Sequence, residues 1–127
     1  MPGMIYLFFA MLFCHVLDDF TLQGILASMK QKSWWAGQSD DPKYAHDYIP
    51  ALLCHAFSWS FMIHLPIAAW SGFDVGAPYI VSLFVNAAIH AAIDDLKANK
   101  MKINLVQDQL LHFLQICIAC MLLVYYF

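Results

Sequence analysis

The sequence predicts an all-α fold, a four-helix antiparallel bundle integral to a membrane, on three observations. Of its 127 residues 62% are apolar and only 12% charged, with a mean hydropathy of +0.63. Soluble domains sit near half apolar and a quarter charged, so one built from this chain would lack polar covering. Four apolar stretches reach the roughly 20 residues that a helix needs to cross the hydrocarbon core. Finally, ionisable residues interrupt those stretches at helical spacing: His15 with Asp19, His90 with Asp94 and Asp108 with His112 are i,i+4 pairs, and His55 stands on the fourth stretch. Such groups are costly in a bilayer and by default mark a site.

The first predicted span covers about residues 4–29. Its start resembles a signal peptide but lacks a positive n-region, and its apolar run ends in His and Asp rather than in a small-residue cleavage site, so it is read as a retained span. The second covers 49–70, with Pro50 in the first turn, where its missing N–H costs nothing. Pro66 is expected to bend or end it. The third covers 78–97, again opening at Pro. The fourth covers 103–127 and closes on an aromatic belt, Tyr125-Tyr126-Phe127. Between the first two spans, residues 30–48 form a polar connection with a Trp34-Trp35 interfacial anchor, a turn at Asp40-Asp41-Pro42, and His46-Asp47, read as solvated. Cys14, Cys54, Cys117 and Cys120 all lie in apolar stretches and read as small core hydrophobes.

Charge orients the bundle. All nine acidic residues are Asp and all six basic residues are Lys, with net charge −3 and no basic stripe to suggest nucleic acid. Lys30, Lys32, Lys43, Lys97, Lys100 and Lys102 fall in or beside the first and third connections, and the opposite side has none. Positive residues favour the cytoplasm, so both termini are expected outside, in a bacterial inner membrane.

That topology puts the polar residues at one depth. His15 and Asp19 lie past the middle of an inward span and His55 early in an outward one. His90 and Asp94 lie late in the third, Asp108 and His112 early in the fourth. Rotation agrees, because residues four apart share a face with Cβ atoms ~6 Å apart. Four-helix bundles build metal sites from inward His and acid at this spacing. The predicted metal ligands are therefore His15, Asp19, His55, His90, Asp94, Asp108 and His112. Imidazole with carboxylate suits Zn²⁺ first, with Mn²⁺ or Fe²⁺ as alternatives. Four His and three Asp exceed one tetrahedral site, so either two ions bind or some residues orient the others. Asp18 and Asp95, next to the paired acids, are candidate general bases. Lys97 and Gln23, each near an acid of the cluster, are candidate substrate contacts. His64, isolated in the outer half, reads as a structural histidine.

HVLDDFTLQ, NAAIHAAIDDLK and DQLLH resemble the motifs of an uncharacterised family of small bacterial and phage membrane proteins, domain of unknown function 3307. The matched positions are His15, Asp19, Phe20, Leu22 and Gln23; His55; His90, Asp94 and Lys97; and Asp108, Gln109 and His112. The resemblance supports the residue set and implies no particular activity.

Two functional classes fit. One is an intramembrane metal-dependent hydrolase acting on a lipid or lipid-linked phosphate or ester from the cytoplasmic leaflet. The other is a divalent metal-ion or proton transporter, for which a second copy in a homo-oligomer could complete the path. The outer halves hold mainly Phe8, Phe9, Met11, Leu122 and similar residues, which favours a one-sided site over a pore. A metal-stapled scaffold recruiting a partner protein is a third class.

Overall fold

The computed structural model describes residues 2–126, and no strand forms among them. The elements are α1 (Pro2–Leu17), a π-helical turn (Asp18–Leu22), α2 (Leu26–Met29), α3 (Lys32–Gln38), a 3-10 turn (Pro42–Tyr44), α4 (Tyr48–Trp70), α5 (Ala77–Ala98) and α6 (Leu105–Tyr126). Four helical stretches are long and apolar enough to cross a membrane: Gly3–Leu22, Pro42–Trp70, Ala77–Ala98 and Leu105–Tyr126. Short connections force α4, α5 and α6 to alternate in direction. α1 packs on α4, α4 on α5, α5 on α6 and α6 back on α1, which closes the ring.

The bundle is polar inside and apolar outside. Phe13, Phe20, Phe84, Leu110 and Met121 are exposed, while His55, His64, His90, Asp108 and His112 are wholly buried. Water-soluble proteins do the reverse with their charges, whereas lipid accepts the outer Phe and Leu at no cost and drives ionisable groups inward. Toward the termini the interior is an apolar plug that includes Leu7, Met11, Ile63, Leu83, Ile116 and Leu123. The polar residues gather toward the lysine-bearing end.

Three features differ from the sequence expectation. The first span is not one helix over 4–29. α1 ends at Leu17, the next turn widens to π, and the chain then breaks at Gly24, whose φ is +52°. Consecutive residues on an α-helix diverge by about 100°; across the wider turn Asp18 and Asp19 are both buried. π-turns of this kind recur at functional sites. The connection over 30–48 is partly helical, tied down by Trp35 Nε1 donating to the Met29 carbonyl (2.7 Å) and by Trp35 stacking with Tyr44. Finally, α4 runs through Pro66 to Trp70, with Ile63, Ile67 and Ala68 of the same helix packed in the plug.

A Cβ added at Gly24 would meet only the Leu22 carbonyl, at 3.9 Å, so substitution is limited by the backbone rather than by space. Gly24→Ala is expected to cost about 1–2 kcal/mol, the left-handed penalty of an L-residue, read as a lowered unfolding midpoint in detergent.

Candidate metal centre

The centre is built where the lysine-end halves of α1, α4, α5 and α6 meet. Asp19 comes from the π-turn, His55 from α4, His90 and Asp94 from successive turns of α5, and Asp108 and His112 from successive turns of α6. All six are at most 7% exposed. His55 Nε2 lies 3.3 Å from Asp19 Oδ1, 3.2 Å from Asp94 Oδ2 and 3.1 Å from His90 Nε2. His112 Nε2 lies 3.5 Å from Asp94 Oδ1 and 3.4 Å from Asp108 Oδ1. A tetrahedral ion with bonds of 2.0–2.1 Å spaces its donors ~3.3 Å apart, so this spacing suits a cation. The described residues contain three groups able to hold one: Asp19–His55–His90, His90–Asp94–His112 and Asp19–Asp108–His112.

Charge supports the same reading. Asp18, Asp19, Asp94 and Asp108 are buried carboxyls. Lys30 meets Asp94 Oδ2 at 2.6 Å and Lys97 meets Asp108 Oδ2 at 2.9 Å. Two lysines against four carboxylates leave an excess that one divalent cation balances, and buried charge is otherwise expensive. His112 Nε2 and Asp108 Oδ1 also have no hydrogen-bond partner among the described residues, although both are fully buried. Buried polar atoms are rarely left so.

Lys30 is the residue that sequence reasoning missed. By sequence it is one of the lysines that orient the bundle, yet it is 8% exposed and reaches an acid 64 positions away. Trp59 and Gln109 were also unassigned to the centre. Trp59 Nε1 donates to His15 Nδ1 (2.7 Å), and its ring stacks on His90 at 4.1 Å. Gln109 Nε2 donates to Asp19 Oδ2 and Asp108 Oδ2 at 3.2 and 3.0 Å. Trp59 stands four residues after His55, on the same helical face, and that spacing was the available signal.

Not every expected site residue takes its expected place. His15 engages both ring nitrogens, Nδ1 with Trp59 and Nε2 with Gln109 Oε1 at 3.0 Å, and it belongs to none of the three donor groups. Asp95, one residue from Asp94 and so on another face, holds Lys100 (2.9 Å) and Asn99 (2.9 Å) at the end of α5, outside the three donor groups. Lys97 is bound to Asp108 rather than free, with its side chain 35% exposed. Asp18 accepts from Ser58 Oγ at 2.7 Å and keeps Oδ2 unpartnered. Gln23 donates to the Asp19 carbonyl. His64 is buried between the Ser60 carbonyl and Ser82 Oγ, as a structural histidine would be.

A family model described as "Protein of unknown function (DUF3307)" matches residues 7–127, nearly the whole chain. No curated protein and no solved structure matches it.

Proposed function

The chain belongs to the DUF3307 family, and from that premise and the geometry of the centre we propose that it is an intramembrane metal-dependent hydrolase. Its substrate is a lipid or lipid-linked phosphate or ester, met from the cytoplasmic leaflet of a bacterial inner membrane. The observation carrying this reading is the cluster itself: facing imidazoles and carboxylates at ligand spacing, with His55 Nδ1, Asp108 Oδ1 and His112 Nε2 unpartnered among the described residues, in one half of a bundle whose other half is an apolar plug.

A bound divalent cation would acidify a water and stabilise charge developing on a phosphoryl or carbonyl oxygen. The chain's own residues do the rest. The acids and imidazoles hold the cation. Asp18, with one free buried oxygen, stands beside Asp19 as a proton acceptor. Lys97, paired with Asp108 and half-buried at the rim, is the cation an anionic headgroup would meet there.

Proton conduction fits less well. A hydrogen-bonded chain does leave the centre outward, from His112 through Gln115 and Asn86 to Ser82 and His64. Two of its links are carboxamides, whose N–H₂ donates and whose oxygen accepts without exchanging protons. Such a chain orients side chains and does not pass protons on.

Detergent-purified protein supplied with Zn²⁺, Mn²⁺ or Fe²⁺ is expected to release phosphate or fatty acid from a panel of phospholipids and lipid phosphates. Chelation should abolish release, and Asp94→Asn should lower it by about 100-fold or more. Ion flux into liposomes without any release would replace hydrolysis by transport, and a bound cation with neither would make the protein a scaffold.

A further inference from the structure

We infer that the segment carrying α2 and α3 is the gate of the centre, and that Asn99, outside the donor groups, is the clasp that holds it shut. Such a gate presupposes the metal-centre reading above and gives that centre an entrance.

A buried centre needs a way in. Its six residues are at most 7% exposed. Toward the termini the apolar plug closes the bundle, and on the flanks the long helices pack on one another. The lysine end is covered differently. α2 has four residues and α3 seven, and none of them is buried. Of residues 24–38, all of them described, only Lys30 is buried, and it meets Asp94 Oδ2 at 2.6 Å. Short surface helices that bury little are the part of a fold that opens most readily.

The segment is hinged at one end and clasped near its middle. Upstream, the π-turn and Gly24, at φ +52°, keep α1 from running rigidly into α2. After Lys30, Gln31 is extended, with φ −103° and ψ 127°. Asn99, just past the end of α5, binds the backbone on both sides of it. Asn99 Nδ2 donates to the Lys30 carbonyl at 3.1 Å, and Asn99 Oδ1 accepts from the Lys32 N–H at 2.8 Å. Asn99 Nδ2 also donates to Asp95 Oδ1 at 2.9 Å. A backbone carbonyl only accepts and a backbone N–H only donates, so these three bonds fix which way the carboxamide points.

Asp95 gains a role by this route. Its carboxylate, braced by Lys100 at 2.9 Å, sets Asn99, and Asn99 sets the strand-like residue that lays Lys30 on Asp94. Both are positioning residues. The rest of the segment follows as a unit, because Trp35 Nε1 donates to the Met29 carbonyl and so ties α3 to α2. Lys32 Nζ, 4.9 Å from the centre of the Tyr48 ring, adds only a weak exposed contact. Swinging about Gly24, the segment lifts Lys30 off Asp94 and opens the centre to the lysine-end interface. A divalent cation that enters as the ammonium leaves keeps the buried carboxylates balanced.

Three measurements on the full-length protein in detergent decide between gate and prop: amide hydrogen exchange of the metal-free protein, the rates of Zn²⁺ uptake and of Zn²⁺ release to excess chelator, and the equilibrium affinity for Zn²⁺. A gate lies on the path in both directions, so loosening it speeds entry and exit alike and leaves affinity in place. Asn99→Ala should speed exchange over residues 24–38, Zn²⁺ uptake and Zn²⁺ release by about 10-fold each, the scale set by its lost hydrogen bonds. Slow exchange retained in α4, α5 and α6 certifies the fold. Asp95→Asn keeps the oxygen that accepts from Asn99 and should match wild type, whereas Asp95→Ala should move the same three readouts in the direction of Asn99→Ala. Unchanged exchange over 24–38 in Asn99→Ala would overturn the clasp. Faster exchange with unchanged Zn²⁺ rates would overturn the gate, and weaker affinity with unchanged uptake would make Asn99 a prop for the ligands. Wild type that binds no Zn²⁺ would sink the metal-centre reading and the gate with it, while the exchange data still decide the clasp.

Discussion

Asp94→Ala is expected to destabilise the bundle by about 3–5 kcal/mol, the usual cost of removing one partner from a buried ion pair. Lys30 Nζ lies 2.6 Å from Asp94 Oδ2, with the two side chains 10% and 3% exposed. Truncation leaves an ammonium inside the bundle without its counter-charge. The double variant Lys30→Met/Asp94→Asn should recover much of the loss, because neither ion remains to be desolvated. Thermal unfolding in detergent, followed by circular dichroism, measures both. An Asp94→Ala protein as stable as wild type would mean that Lys30 swings freely to water, and the charge argument for the centre would weaken with it.

Trp59 carries the second large effect. It is fully buried, stacks on His90 and donates to His15 Nδ1. Trp59→Ala should cost about 3–5 kcal/mol, as large-to-small changes of buried aromatics do. Trp59→Phe keeps an aromatic face on His90 but removes the donor, leaving His15 Nδ1 buried and unpaired for about 1–3 kcal/mol. The two variants separate packing from hydrogen bonding in the same unfolding assay. If Phe and Ala cost the same, the indole N–H rather than the ring volume dominates at this position.

The long helices and most of the centre were legible because their signals are local. An i,i+4 pair such as His90 and Asp94 declares a face within one helical turn, and three such faces with His55 at one depth declare a cluster. What was not legible depends on contacts distant in sequence or on backbone geometry. Nothing near Lys30 reveals that it folds back onto α5; that follows from the π-turn at Asp18–Leu22 and the left-handed Gly24, neither of which has a periodicity of its own. His15 looked equivalent to the other histidines by spacing. Its different role appears only when the Trp59 indole, 44 positions away, takes up its Nδ1. Asp95 was proposed by adjacency to Asp94, and adjacency on a helix means a different direction.

The pairing of Lys30 with Asp94 and of Lys97 with Asp108 bears on biogenesis. Lys97 and Asp108 meet within the α5–α6 hairpin, whereas Lys30 follows α1 and the acid it meets stands on α5. Lys30 therefore gains its native counter-charge only when the second hairpin docks on the first, which ties the last step of folding to the contact between the two hairpins.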